Sequence, residues 1–328
     1  MCVNKTFAKT LPLLAALTIV ANRAEAAQAT PYPARPIRFV VAFGGGGTVD
    51  VVARLFAQRL TPNLGQQIVV DNRPGAGGNV SAEIVAKSSP DGYTIYMCAP
   101  SLVVNATLYS KIAYDPLRDF APVTLLASAQ NVLVGYPGFA AKSVKELIAI
   151  AKTRPGQINY GSSGSGTSGH LLMEMLRTQS GIDIVHVPYK TIGQTTADLI
   201  SGQVSLWFPT VAGTLPHIHS GRMRALAVSG AKRSPALPDV PTVAEAALPG
   251  FEATTWYPIL TPAGAPKDVI ARLNVEFLKV LRTPDMQERL AALGVESIGS
   301  TPEQLAAHLK SELPKWAKVV KASGARAD

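Results

Sequence analysis

A chain of 328 residues, 47% hydrophobic and only 16% charged, carries more apolar material than one core usually organises, so two lobes are expected. Its formal net charge of +9 comes from scattered Lys and Arg, with no run of five and no interleaved aromatics. That pattern excludes nucleic acid as a partner and leaves a basic surface able to steer small anions.

Lys5 and Lys9 precede an apolar run from Leu11 to Val20 that is too short to span a bilayer, and Ala24-Glu25-Ala26 has the small-x-small pattern cut by a signal peptidase. Residues 1–26 therefore read as a cleavable signal peptide, with cleavage near Ala26 and a periplasmic product starting near Ala27. Removing them leaves 28 basic and 21 acidic residues, a surplus of +7. Cys2 leaves with the signal and does not stand at a lipid-attachment position. Cys98 then remains alone in an apolar stretch and reads as a buried small hydrophobe, with no disulfide possible inside one mature chain. No later stretch is long enough to cross a membrane.

Ile37 to Phe43 is a β-branched and aromatic run that reads as a buried strand, and Gly44-Gly45-Gly46-Gly47-Thr48-Val49-Asp50 leads from it into a helical pattern over Val49–Leu60. A strand, a bare loop and a helix start make an anion site, because the first amides of a helix are unpaired and its dipole is positive there. Gln67–Val70 reads as a strand, Asn79–Lys87 as a helix and Thr94–Cys98 as a third strand, an alternation that implies a parallel sheet with right-handed crossovers. In such sheets ligands sit beyond the carboxyl ends of the strands, where the four glycines fall.

The same grammar restarts with helix Val144–Lys152, strand Ile158–Tyr160, helix Ser168–Thr178, strand Ile184–Val187, helix Thr195–Ser201, and strands Val204–Phe208 and Arg224–Val228. The extended runs Val123–Val134 and Glu252–Thr261 read as two crossing strands of a hinge. The expected division is lobe 1 over 27–125, lobe 2 over 126–252, and a return to lobe 1 with C-terminal helices over 253–328. Those helices are expected at Val269–Leu281, Asp285–Leu293, Pro302–Leu309 and Trp316–Lys321, with Pro284 and Pro302 at first helical positions.

The glycine-rich motifs fail the nucleotide fingerprints. Counting from Gly44, the third glycine of G-x-G-x-x-G would be Val49, and no Lys-Ser or Lys-Thr follows. Gly161-Ser162-Ser163-Gly164-Ser165-Gly166-Thr167-Ser168-Gly169-His170 is the matching strand-to-helix loop of the second lobe. No serine in it satisfies G-x-S-x-G, since Ser163 has Ser165 and Ser168 has His170 where glycine is required. His170 reads as a neighbour of the helix cap, and His186, between Val185 and Val187, as a sheet residue. His217-Ile218-His219, if extended, points its imidazoles to opposite sides, and no metal site or cofactor is expected.

Taken in order, Val40 to Asp50, Asp71-Asn72-Arg73-Pro74-Gly75-Ala76-Gly77-Gly78-Asn79, Pro90-Asp91-Gly92-Tyr93-Thr94, Tyr114-Asp115-Pro116, Asp119-Phe120-Ala121-Pro122-Val123, His186-Val187-Pro188-Tyr189-Lys190 and Lys315 to Ala325 resemble the Bug or TctC-type periplasmic receptors of tripartite tricarboxylate transporters. The resemblance implies an α/β, two-lobed periplasmic binding protein of type II-like fold, each lobe a doubly wound sheet flanked by helices and the two joined by crossing strands. It implies a monomeric receptor, not an enzyme, that closes on a di- or tricarboxylate or an aromatic carboxylate and presents it to a two-component membrane permease. Carried onto this chain, it nominates Phe43, Gly46, Gly47, Thr48, Ala99 and Ser101 in the first lobe and Ser163, Thr167, Ser168 and Trp207 in the second as substrate-binding, with Asp50 capping its helix. Other readings are a solute-sensing partner of a membrane sensor kinase and an exported serine hydrolase using Ser163 or Ser168.

The chain departs from the family pattern at Gly44 and Gly45, where prolines are common, at Thr191 and Gln194, where glycine and proline are common, and at Ser205 and Pro209, where aspartates are common. With Trp207 and Phe208 between the last two, the far wall is expected to be less acidic and more apolar, which favours a carboxylate without an amino group.

Overall fold

The computed structural model describes residues 1–2 and 32–327 of the chain. All but the first two residues of the expected signal peptide, and its cleavage site, lie outside them. The first half runs β1 (Ile37–Val41), α1 (Thr48–Leu64), β2 (Ile68–Asn72), α2 (Asn79–Ala86), β3 (Thr94–Met97), α3 (Ser101–Leu108), β4 (Phe120–Ala129), β5 (Val132–Gly135), α4 (Val144–Thr153) and β6 (Asn159–Ser162). The second half continues with α5 (Ser168–Ser180), β7 (Val185–Pro188), α6 (Ile192–Ile200), β8 (Leu206–Trp207), α7 (Val211–His219), β9 (Arg224–Val228), α8 (Val243–Ala246), β10 (Thr255–Pro262), α9 (Lys267–Leu281), α10 (Pro284–Ala292), β11 (Val295–Ser297) and α11 (Pro302–Ser323).

Two mixed sheets form. The first has the order β11-β4-β10-β3-β1-β2 and the second β7-β6-β8-β5-β9. β1 pairs in parallel with both β2 and β3, as βαβ units require, whereas β10 runs antiparallel to β3 and β4. In β1 every residue but Arg38 is buried, because helices cover both faces of the sheet. One core packs Phe39 and Val41 against Phe56 and Leu60 of α1 and Phe277 of α9.

The chain passes between the sheets at two adjacent points. β4 ends at Ala129 in the first sheet and β5 starts at Val132 in the second. The return runs through Ala253, whose N–H donates to Ser229 O, into Thr255, which pairs with Ala129. Thr255 Oγ1 donates to Asn131 Oδ1 at 2.8 Å and ties the two passages together. The expected run Val123–Val134 thus divides between two sheets, and β10 lies wholly in the first.

Each sheet has an apolar core of its own, and a third cluster joins them. That cluster takes Val40, Tyr96 and Trp256 from the first sheet and Tyr160 and Leu206 from the second, with Phe208 just beyond β8. α11 closes it, packing on α3 and β4 on one side and on α5 on the other. The two helices expected in this tail are one. Leu305, Leu309, Glu312, Trp316 and Val320 keep an unbroken buried stripe through Pro314, which sits on the exposed face where the carbonyl it orphans meets water. α3 and α7 have no counterpart in the sequence reading. α3 is buried almost all round and shows no amphipathic period, and α7 contains Gly213 and Pro216. His217 and His219 consequently lie on a helix rather than an extended segment.

Candidate functional site

The strand β1 delivers the first glycine loop to α1, and β6 delivers the second to α5. Both helices start the same way. Their caps, Gly47 and Thr167, have extended backbone and make no side-chain cap bond, and the third helical residue reaches back instead. Asp50 Oδ2 accepts the Gly46 N–H at 2.9 Å, and His170 Nδ1 accepts the Gly166 N–H at 3.2 Å. These bonds turn the loops so that the next amides point outward. Among the described residues, no acceptor meets the N–H groups of Thr48 and Val49 or of Ser168 and Gly169.

Both helix starts open onto one cavity of about 130 Å³. Phe43, Gly46, Gly47 and Thr48 line it from the first loop, Ala99 from the end of β3, Ser163, Thr167 and Ser168 from the second loop, and Trp207 from β8. Ser101 does not line it. It is the first residue of α3, buried, with its hydroxyl turned towards Gly78. Gly46 contributes surface but not its N–H, which Asp50 occupies. Of the expected far wall, Trp207 and Pro209 face the cavity while Phe208 turns away and stacks on Phe251, as strand alternation dictates; Ser205 lies outside the lining.

None of the lining residues carries a charge. The polar side chains are largely engaged: Asn131 Nδ2 donates to Phe208 O at 3.0 Å, Thr167 Oγ1 donates to Gly164 O at 2.7 Å, and the hydroxyls of Thr48 and Thr210 meet across the cleft at 2.9 Å. Close approach at the second helix depends on Gly169, where a Cβ would stand 3.0 Å from Phe208 O. A wider outer cleft of about 910 Å³ shares Phe43, Gly46, Gly47, Ser163 and Ile192 with the cavity and adds Lys190 at its margin. Thr191, one of the departures from the family pattern, caps α6 there by accepting the Gln194 N–H at 3.3 Å.

Asp50 is held firmly in its capping role. Burial works to raise its pKa, but hydrogen bonds from Arg54, Gly46 and Asn72 outweigh it and keep the carboxyl below its usual range. Under the second loop, Tyr160, His186 and His170 form a stack, with the two imidazoles 4.1 Å apart. Burial, then the charge of Arg177, pushes His170 down to about 4; burial, then His170, pushes His186 down to about 3 against the pull of Glu174. Both rings are neutral at neutral pH, which leaves His170 Nδ1 free to accept. The serine–histidine pair in this region is Ser162 Oγ with His186 Nε2 at 2.6 Å, and neither residue lines the cavity. Burial likewise pushes the Cys98 thiol up, as a small core residue requires. Among the described residues no group of three His, Cys, Asp or Glu is placed to hold a metal ion, and no helix is long and apolar enough to cross a membrane.

A family model described as the tripartite tricarboxylate transporter family receptor, TctC, matches residues 52–325. The chain belongs to the TctC receptor family. Protein BugT of Bordetella pertussis is 36% identical to this TctC chain over 318 residues, 96% of it and 98% of BugT. A protein of R. palustris solved with adipate has a TM-score of 0.86 at 37% identity, over 89% of this chain and 98% of that one. MatC from Rhodopseudomonas palustris, solved with bound malate, has a TM-score of 0.83 at 31% identity, over 88% and 100%. TctC proteins are solute-binding receptors rather than enzymes, and the two-lobed α/β fold of this chain is that of its neighbours.

Several members of the TctC cavity escaped the sequence reading, Asn131, Thr210, Gly213, Thr255 and Tyr257 among them. Asn131 and Tyr257 reach it from β4–β5 and β10, the strands at the passage between sheets, and neither sits in a glycine-rich motif. Alternation along β10 was the available signal for Tyr257, but strand periodicity does not say which buried face borders a cavity.

Proposed function

We propose that this chain is the extracytoplasmic solute receptor of a tripartite tricarboxylate transporter, exported to the periplasm after cleavage near Ala26, and that it binds a small di-, tri- or aromatic carboxylate between its lobes as a monomer. Residues 27–125 and 253–328 make one lobe and 126–252 the other, with bending at the two passages near Asn131 and Thr255. The closed form is handed to the two-component permease.

The observation that carries this reading is the meeting of two helix N-termini, one from each sheet, at a single cavity with no charged lining. Unpaired amides and dipoles aimed at one point favour an anion, and a carboxylate can use both lobes at once. The adipate and malate found with its structural neighbours are carboxylates of suitable size. Phe43, Gly47, Thr48 and Ala99 are assigned to the first half of the site, and Ser163, Thr167, Ser168 and Trp207 to the second.

Isothermal calorimetry with succinate, malate, adipate, citrate, nicotinate and the benzene dicarboxylates tests the assignment. Thr48→Ala or Ser163→Ala removes a hydrogen bond to a charged group, worth about 1.5–3 kcal/mol, and is expected to weaken the best ligand roughly ten- to a hundredfold. Unchanged affinity in both variants would place the ligand elsewhere. Uptake of that ligand by vesicles bearing the two permease subunits, present only when the receptor is added, tests delivery.

A further inference from the structure

Ile192 is 41% exposed and belongs to none of the three apolar clusters, yet it borders both the cavity and the outer cleft. Its position is fixed from the second lobe. It is the first residue of α6, and Thr191 caps that helix on the Gln194 N–H. The buried Thr195, one turn on, donates to Thr191 O at 3.1 Å, and its methyl group packs over Gly161 of β6, where a Cβ would stand 2.7 Å away. From there the Ile192 side chain crosses the cleft to the start of α1. A Cβ on Gly47 would lie 3.2 Å from Ile192 Cδ1, closer than carbon atoms ordinarily pack, so no atom of a ligand passes between the two. The Gly47 backbone, at φ −78° and ψ 164°, is open to any residue, and it is Ile192 that occupies the room a side chain there would need.

Phe43, Gly46, Gly47, Ser163 and Ile192 are shared by the cavity and the outer cleft and so frame the passage from one to the other. The Gly46 N–H is taken by Asp50, and Ser163 alone of the five has a polar side chain. Resting on the reading of this cavity as the ligand site, we propose that Ile192 is a specificity-determining residue: it closes the Gly47 side of the passage, makes the ligand cross between Ile192 and Phe43, and so selects a carboxylate whose chain is aliphatic where it crosses. Methylene groups there gain by covering the half-exposed side chain. A single hydroxyl can turn to Ser163, but a chain hydroxylated on every inner carbon gives up water for carbon contact without compensation. The substrate class is thus an aliphatic dicarboxylate with at most one hydroxyl in the crossing segment, its outer end lying in the cleft that Lys190 borders.

Pairs of acids that differ only in hydroxyls test this: succinate against tartrate and adipate against galactarate, titrated calorimetrically into the full mature chain, Ile192→Ala and Ser163→Ala. In the pair the parent binds better, the unhydroxylated acid is expected to be at least tenfold tighter. Ile192→Ala is expected to weaken that acid about fivefold, leave its hydroxylated partner within about twofold, and so narrow the ratio. The ligand-free variant should melt with the parent, because the side chain lies outside the apolar cores. Loss of affinity in Ser163→Ala with an unchanged ratio in Ile192→Ala would overturn the role of Ile192 while leaving the cavity as the site. A hydroxylated acid bound by the parent as tightly as its partner, or no binding of any of the four, would overturn the aliphatic selection. No loss in either variant would overturn the reading of the cavity and the proposal with it.

Discussion

Asp50 and His170 fill the same place in two unrelated loops, each third in its helix and each accepting an N–H four residues back. Their chemistry separates them under acid. The folded pKa of His170, about 4, lies below its unfolded value of about 6.5, so the unfolded chain binds more protons between them. Stability is therefore expected to fall as pH drops from 6.5 through 4, on the order of 3 kcal/mol from this residue, with His186 adding to the loss in the same direction. Urea titrations at pH 7, 5.5 and 4 measure this, and His170→Gln should flatten the slope. Asp50, depressed in the folded state, contributes above the unfolded carboxylate range and loses its contribution only at lower pH. Replacing it by Ala strands the Gly46 N–H and removes one of the two acceptors of the Asn72 amide, at a cost of about 2 kcal/mol measurable by the same titration at pH 7.

At the level of elements, the site is two helix starts held at a fixed separation, and a single backbone contact sets one of them. Gly169 in the first turn of α5 faces Phe208 O so closely that a methyl group would require one of them to move. Gly169→Ala is expected to displace the turn from the cavity and cost about 1 kcal/mol of binding, roughly fivefold in Kd by calorimetry. α1 and α5 were legible in sequence because each follows a strand and a glycine-rich loop and carries an apolar stripe. α3 was not, since a helix buried on nearly every side has no period to read. α11 was legible in its two halves but not as a whole. Pro314 signals a break locally, and only the packing of Glu312 and Trp316 against Trp256 carries the helix past it.

For the whole molecule, the proposed closure would bend the chain at the two adjacent strand passages, and α11, which lies against helices of both sheets, would oppose it. Arg177 on α5 also donates to Ser323 O at 2.5 Å near the end of α11. Compaction on ligand binding is accordingly expected to be visible by solution scattering but limited, since α11 must slide or tilt for the lobes to part. Trp207 borders the cavity, whereas Trp256 and Trp316 are buried behind it with their indole N–H groups on Glu312. A ligand-induced fluorescence change should therefore vanish in Trp207→Phe and persist in Trp316→Phe. The basic surface adds a rate effect: association of a dicarboxylate should slow as ionic strength rises, because screening shortens the reach of the net positive charge.

What the sequence determined by itself is what local physics encodes. Alternation and β-branching gave β1, β2 and β3, glycine runs at strand ends placed two anion-seeking helix starts, and the apolar surroundings of Cys98 made it a core residue. The tertiary structure decided which of these meet. Thr48 touches Thr210 across 162 residues of chain, Asn131 reaches Thr255 across 124, and Tyr257 enters the cavity from a strand with no motif around it. Such contacts depend on how two sheets are set against each other, and that setting arises from the shared apolar cluster and α11, summed over residues far apart in the chain. No single segment holds that information, which is why the loops were readable in sequence and the cavity between them was not.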